Sequence, residues 1–232
     1  ADALKNGGML QAFGSGHSQA GASELCFRAG GFIPTKQIKE PASGAYEGIE
    51  GVGTSFMKKV DVRPNDVVVL ISNSGRNPLP VEIALAAHEK GAKVVAITSL
   101  EASKNLTPKP PCGKNLWQLA DVVIDNCVMD GDASIDVEGL DTRICGMSAI
   151  TTAILIQACV YRTAQMLLEE GIVVAGGLAA YAGKMFRLGH MGNIDINDEV
   201  AVLGVIERAL NQCGHPVPYG KAVGIYLEEM AK

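Results

Sequence analysis

The stretch Val67 to Pro78, VVVLISNSGRNP, sets the strongest limit on the fold. Val67 to Ile71 is an unbroken apolar run. A strand of that kind is buried on both faces, as in a parallel sheet. The polar elbow Ser72-Asn73-Ser74-Gly75 follows it. The spacing then predicts a helix over 79–90, because Leu79, Ile83 and Ala87 recur at four-residue steps while Glu82, Glu89 and Lys90 fall elsewhere on its surface. Where a strand gives way to a helix, free backbone N–H groups and small hydroxyls form an anion site. The ligand expected from these residues is a small phosphorylated or carboxylated molecule.

The same alternation runs along the chain. Further strands are predicted over 8–13, 33–38, 93–98 and 122–125, with the central one over 67–72. Further helices are predicted over 19–29, 55–60 and 147–170. The acidic, Gly-containing segment 128–144 reads as a loop with a short extended piece. Strand, helix and strand joined by short connections imply parallel strands with right-handed crossovers. After Gly171 the character changes. Strands are expected over 172–175 and 184–188, then a helix from Asn197-Asp198 to about Cys213, the stiff linker His215-Pro216-Val217-Pro218, and a last helix over 222–231. The expected organisation is an α/β domain over 1–171 and a small α/β module over 172–232.

Composition narrows the function. Hydrophobic residues make up 47% of the 232, enough for a sizeable core. Aromatics are only 5% while glycines number 27, which argues against a binding face built from aromatic rings. The net charge is −5 and no segment carries a run of Lys or Arg, which argues against a nucleic-acid partner. Six cysteines, Cys26, Cys112, Cys127, Cys145, Cys159 and Cys213, show no CxxC spacing. They read as buried reduced thiols of a cytoplasmic protein, without a zinc site. No N-terminal signal peptide is visible, and because Ala1 is not a natural start, residues upstream are expected. Ala149 to Val160 is apolar but interrupted by Thr151, Thr152 and Gln157. It is shorter than the roughly 20 residues that span a bilayer, so it is read as a buried helix and no membrane partner is expected.

Four predicted strands end in small polar residues: Ser15 and Ser18, Ser72 to Gly75, Thr98-Ser99, and Asp125-Asn126. In an open parallel sheet these ends face the ligand crevice, so their hydroxyls and N–H groups can meet around one phosphate. Ser and Gly are also ordinary turn residues. Two Gly/Ser elbows with matching strand-end hydroxyls weigh against that plainer reading. The pattern GxxxxGK[ST] is absent, and Gly14-Ser15-Gly16 lacks the third glycine of a dinucleotide fingerprint. A sugar phosphate fits better than a nucleotide.

Taken together, GSGHS (14–18), SNSGRNPLPVEIAL (72–85), GAKVVAITS (91–99), DVVIDN (121–126) and GDA (131–133) resemble the sugar isomerase (SIS) domain family, nearest its phosphosugar-isomerase-like branch. The likeness covers residues 1–171. It implies a three-layer αβα sandwich around a parallel sheet, a phosphosugar ligand, and a homodimer or higher oligomer with sites near subunit contacts. By this resemblance Ser72, Ser74 and Thr98 or Ser99 hold the phosphate, with Asn73 and Gly75 completing that elbow, and Ser15 and Ser18 contact the sugar. No cofactor or metal is expected. Two departures stand out. The family's further N-terminal helical segment is mostly lacking, and the loop after Glu40-Pro41 is short.

Aldose–ketose isomerisation needs a group that moves a proton between adjacent carbons. The candidates are His17, Glu40 and Glu82. Each has a plainer alternative: a cap or solvent-facing ring for His17, a solvated carboxylate for Glu40, and a favourable helix-dipole contact for Glu82. A non-catalytic phosphosugar sensor is the alternative reading of the whole domain.

The tail differs. GIVVAGGLAAYAGKMFRLGHMGNI and the helix after it resemble the C-terminal small domain of the alanine–glyoxylate (class V) type of pyridoxal-phosphate aminotransferase, over residues 171–232. In that family the arginine matching Arg187 binds the substrate carboxylate, a task that suits a guanidinium fork. Without the large domain and its Schiff-base lysine, transamination is not expected, and a surface ion pair is the plainer role for Arg187. A remnant or fusion of such an aminotransferase is the third reading.

Overall fold

Five strands form one sheet: β1 (Leu10–Gly14), β2 (Thr35–Gln37), β3 (Val67–Ile71), β4 (Lys93–Thr98) and β5 (Val122–Asp125). Their order is β2-β1-β3-β4-β5, and every pair is parallel. This computed structural model describes residues 1–169 except Phe27, and residues 200, 203–204, 206–208, 210–211 and 214–231. The helices among them are α1 (Asp2–Lys5), α2 (Gln19–Cys26), α3 (Val52–Met57), α4 (Pro78–Glu89), α5 (Leu100–Asn105), α6 (Ser148–Glu169) and α7 (Lys221–Met230). The chain divides into two units, Ala1–Gly176 and Gly177–Lys232.

The apolar run 67–71 does what its composition requires. Val68 and Leu70 enter a core with Leu79, Ile83 and Met57 from α4 and α3. Val69 and Ile71 point to the other face, into a core with Ala22 and Leu25 of α2 and Ile156 and Val160 of α6. Successive side chains alternate across a strand, so both faces of β3 are buried. The result is the expected three-layer α/β/α arrangement. At the amino ends of the strands Asp66, only 2% exposed, locks the register. Its carboxylate accepts from Met9 N (2.8 Å), Gln11 Nε2 (2.8 Å) and Arg63 N (3.0 Å), tying β1 to the start of β3.

Some elements differ from the sequence expectation. The helix predicted over 55–60 starts three residues earlier, because the Glu82 carboxylate accepts from Gly51 N (2.6 Å) and Thr54 N (3.0 Å) and fixes its first turn. Helix α5 was not anticipated. Asp125 at the end of β5 accepts from Leu100 N (3.0 Å) and opens it. The segment read as a loop contains a hairpin, β6 (Ala133–Ile135) against β7 (Ile144–Gly146). The strands expected over 172–175 and 184–188 lie outside the described residues. In the second unit, Glu207 accepts from the N–H groups of Gly220 and Ala222 at the start of α7.

Asp132 holds the start of α6. Its Oδ1 accepts from Ser148 N (2.7 Å) and Met147 N (3.1 Å), and its Oδ2 from Ser148 Oγ (2.9 Å). Asp132→Ala is expected to lower stability by about 1–2 kcal/mol, the usual cost of a lost N-terminal cap. The measurement is a lower urea midpoint with an unchanged slope.

The thiols need a correction. Cys26 is buried, but Cys112, Cys127, Cys145 and Cys159 are exposed; all five are free, and Cys213 lies outside the described residues. Cys112 and Cys127 sit on loops, Cys145 on a hairpin strand and Cys159 on α6. Burial pushes the Cys26 thiol from 9.0 up to about 11, against smaller opposing contributions from Ala12 and Thr35. The unfolded chain therefore loses this proton near pH 9.0, while the folded chain keeps it to about pH 11. Stability should fall across that window by about 2–3 kcal/mol. Urea titrations of wild type and Cys26→Ala should differ by that slope.

No helix among the described residues is long and apolar enough to cross a membrane.

Candidate functional site

The strand order reverses between β1 and β3. From β1 the chain steps to β2 at one edge, and from β3 it runs outward through β4 to β5. In open α/β sheets the crevice at such a reversal, beyond the carboxyl ends, is where ligands sit. The register puts Gly14 beside Ile71 and Ile71 beside Ile97. Ser15, Ser72 and Thr98 therefore stand at three adjacent strand ends.

The elbow after β3 is braced from behind. Gly75 takes φ +61°, and a Cβ there would meet Ser103 Oγ at 3.0 Å and Thr98 Oγ1 at 3.1 Å, so glycine answers both the dihedral and the space. Gly75 N donates to Ser72 Oγ (3.2 Å), and Leu116 N donates to Gly75 O (2.7 Å). The Asn73 carbonyl accepts from Ser99 N and Thr98 Oγ1, both at 3.0 Å. Ser99 Oγ donates to Val128 O. Thr98 and Ser99 are 0% and 1% exposed. These two hydroxyls, expected at the phosphate, lie behind the elbow with their donors already used.

The front of the elbow is different. Among the described residues, nothing accepts from the backbone N–H groups of Ser74, Arg76 and Asn77. Helix α4 itself offers little: Pro78 and Pro80 have no N–H, and Leu79 N donates to Glu47 O (3.2 Å). The free donors come from the loop before the helix rather than from its first turn. Unpaired N–H groups gathered in one turn make an anion-binding concavity. The Nε of Arg76 is buried without an acceptor among the described residues.

At the end of β1, Ser15 Oγ is buried and has no partner among the described residues. Gly14 packs directly on the turn Gly16–Ser18; a Cβ on it would stand 2.2 Å from the Ser18 carbonyl oxygen. His17 and Ser18 then line a small recess with Asn73, Asn126, Ser148 and Thr152. The structure thus brings Ser15, His17, Ser18 and the elbow residues to one rim.

The two carboxylates considered as bases are occupied. Glu40, 6% exposed, accepts from Ala42 N and Gly44 N, both at 2.8 Å. It shapes a loop that leans on the first elbow, where a Cβ on Gly44 would lie 2.7 Å from Gly16 N. Glu82, 8% exposed, holds the start of α3 through the two bonds described above. Neither lines the recess with His17. Arg187 lies outside the described residues.

Sequence reasoning did not single out Arg76, Ser148 or Thr152, and it noted Asn126 only as a strand end. For Arg76 there was a usable signal, a cation directly after a Ser/Gly elbow with no acid beside it. For Ser148 and Thr152, polar residues opening a long apolar helix, there was none.

A larger cavity of about 480 Å³ lies elsewhere, along the sheet face covered by α2 and α6. Val95, Ile97, Val122, Ile124, Ile156 and Val160 are among its walls. These apolar walls do not suit a phosphate.

The fold is a doubly wound parallel α/β sheet with Ser/Gly elbows at its reversal point, and residues 1–99 match the family model for the SIS domain. The chain belongs to the UPF0309 family. It is 45% identical over 171 residues to a UPF0309 protein of Listeria monocytogenes serovar 1/2a, covering 74% of this chain and 73% of that protein. A second UPF0309 protein, from Listeria monocytogenes serotype 4b, is 31% identical over 217 residues, covering 90% of this chain and 84% of that protein. The phosphoheptose isomerase GmhA of Neisseria gonorrhoeae is a structural neighbour at 20% identity and TM-score 0.44, covering 69% of this chain and 80% of that one. The aminotransferase likeness of residues 171–232 finds no support in these relatives. Coverage of 90% reaches past residue 171, so the second Listeria protein matches part of the tail as well.

Proposed function

We propose that the chain binds a phosphorylated sugar in the crevice between β1 and β3 and interconverts its aldose and ketose forms. The observation that carries this is the front of the second elbow: three unpaired N–H groups at Ser74, Arg76 and Asn77, beside the orphaned Ser15 hydroxyl and the recess with His17. The phosphate sits on the elbow, with Ser72 and Ser74 hydroxyls and the Arg76 guanidinium as further donors. Ser15 and Ser18 face the sugar. Thr98 and Ser99 keep the elbow in shape.

His17 is the proton-moving group. Its ring is exposed and has no hydrogen-bond partner among the described residues, whereas Glu40 and Glu82 each accept two backbone N–H groups. In the open-chain aldose the imidazole takes the proton from C2 and an enediol forms as the carbonyl oxygen gains a proton. The exposed imidazolium exchanges that proton with solvent and delivers one to C1, while the C2 hydroxyl gives up its own and becomes the carbonyl. Atoms and electrons balance without a cofactor. The homo-oligomer belongs to this reading, with Ile150, Ile154 and Tyr161 of α6, 56%, 65% and 66% exposed, as surface for a second copy.

Incubation with hexose and heptose phosphates in D₂O tests the proposal. Deuterium should enter the carbon next to the carbonyl and the ketose should appear by NMR. His17→Ala should abolish exchange, by about 100-fold or more, and bind the sugar phosphate within a few-fold of wild type. Binding without exchange in wild type selects the second reading, a non-catalytic phosphosugar module. That reading is favoured by the engagement of both carboxylates in loop hydrogen bonds. No binding of any sugar phosphate overturns both.

A further inference from the structure

One chain of hydrogen bonds at this rim has a direction fixed at its end. The backbone N–H of Val128 can only donate, and its acceptor is Asn126 Oδ1 at 3.2 Å. The other arm of the Asn126 amide is therefore Nδ2, which donates to Asn73 Oδ1 at 2.9 Å. An amide presents one acceptor and one two-proton donor on opposite arms. With its oxygen turned to Asn126, Asn73 has Nδ2 left over. Asn126 is 4% exposed, and its backbone N donates to Thr98 O at 3.0 Å, so it is held at main chain and side chain alike. Asn73 is fixed through its carbonyl, which accepts from Ser99 N and Thr98 Oγ1.

Asn73 and Asn126 line the recess with His17 and Ser148. Ser148 Oγ donates its proton to Asp132 Oδ2 at 2.9 Å, which leaves its lone pairs free to accept. The recess therefore carries a donor on one wall and an acceptor on the other, each set by a residue behind it.

We infer that Asn126 is a positioning residue that keeps the Asn73 amide turned with Nδ2 toward the ligand, so that the recess selects a sugar hydroxyl or carbonyl oxygen next to the bound phosphate. This rests on the phosphosugar reading above. Asn126 touches no ligand itself and acts through Asn73. The selection is for oxygen at the sugar, and inorganic phosphate on the elbow does not depend on it.

Calorimetry with fructose 6-phosphate, sedoheptulose 7-phosphate and ribose 5-phosphate, and with inorganic phosphate as control, tests this on the full chain. Asn126→Ala should weaken the best sugar phosphate by about tenfold, the ordinary size of one hydrogen bond to a buried partner. Inorganic phosphate should change by less than about twofold. In an Asn73→Ala background the second substitution should add nothing, because residues acting through one another are not additive. Asn126→Asp should bind poorly near pH 8, where the carboxylate cannot donate, and recover toward pH 5 as it gains a proton. His17 lines the same recess and Asp125 and Asp132 flank it, so the recovery is read against Asn126→Ala over the same range. Equal weakening of sugar phosphate and inorganic phosphate, or a loss that persists without Asn73, would overturn the inference while leaving the phosphosugar reading intact. A ligand-free readout separates the two further. In ¹⁵N spectra of wild type, an Asn126 Nδ2 proton should exchange slowly and both Asn73 Nδ2 protons quickly; the reverse order overturns the orientation whatever binds. Wild type that binds none of the sugar phosphates removes the reading and the inference together.

Discussion

Ser74→Trp is expected to abolish sugar-phosphate binding in calorimetry, with affinity falling at least about 100-fold, or about 2.7 kcal/mol. Ser74 lies at the front of the elbow, half-buried, and its N–H is one of the three without an acceptor among the described residues. An indole there occupies the space the phosphate needs and covers neighbouring donors. Inorganic phosphate should be lost as well, because the substitution removes the anion site itself. That outcome separates it from Asn126→Ala, which leaves inorganic phosphate bound. Thermal unfolding should stay close to wild type, since Ser74 belongs to neither apolar core. Ser74→Ala removes only the hydroxyl and should weaken binding by about tenfold or less. Unchanged affinity in Ser74→Trp would refute the anion site, and a sugar phosphate would have to bind elsewhere.

The parts of this molecule that were legible in the sequence are those where local chemistry decides. The run Val67 to Ile71 could only be a doubly buried strand, and it alternates between the two cores residue by residue. Strands β4 and β5 fall at 93–98 and 122–125 as their patterns predict, and α6 lies within two residues of its expected ends. The placing of the elbows at adjacent strand ends followed from the parallel topology. What was not legible depends on contacts between residues distant in sequence. Glu82 looks like an acid on a helix, and only the fold brings it to Gly51 and Thr54, 31 and 28 residues away. Glu40 has the residue type of a base, yet two nearby amides fill its oxygens. Thr98 and Ser99 carry hydroxyls at a strand end as expected, but the sequence does not state which way a hydroxyl points. Helix α5 was hidden because its start depends on Asp125 across the sheet. Tail motifs with abundant Gly and Ala invited a family likeness that the UPF0309 relatives do not support.

Gly14→Ala should cost about 3 kcal/mol of stability and take the site with it. Gly14 ends β1, the strand beside the reversal, and its Cα approaches the turn Gly16–Ser18 so closely that a Cβ would lie 2.2 Å from the Ser18 oxygen and 2.5 Å from its carbonyl carbon. Both atoms are backbone, so no side chain can swing aside. Either β1 shifts, breaking its register with β3, or the turn moves outward and carries His17 and Ser18 from the recess. Overpacking against main chain belongs at the upper end of core substitutions. Gly16→Ala is the control. Gly16 has φ +54° and open space around its missing Cβ, so alanine there meets only the left-handed backbone penalty, about 1 kcal/mol. Urea unfolding and calorimetry on both variants separate the two effects. Gly14→Ala should lower the midpoint well beyond Gly16→Ala and lose sugar-phosphate binding in whatever fraction remains folded. A Gly14→Ala protein as stable as wild type and binding as tightly would mean that the close approach of strand end and turn does not hold the rim, and the placement of His17 would lose its structural basis.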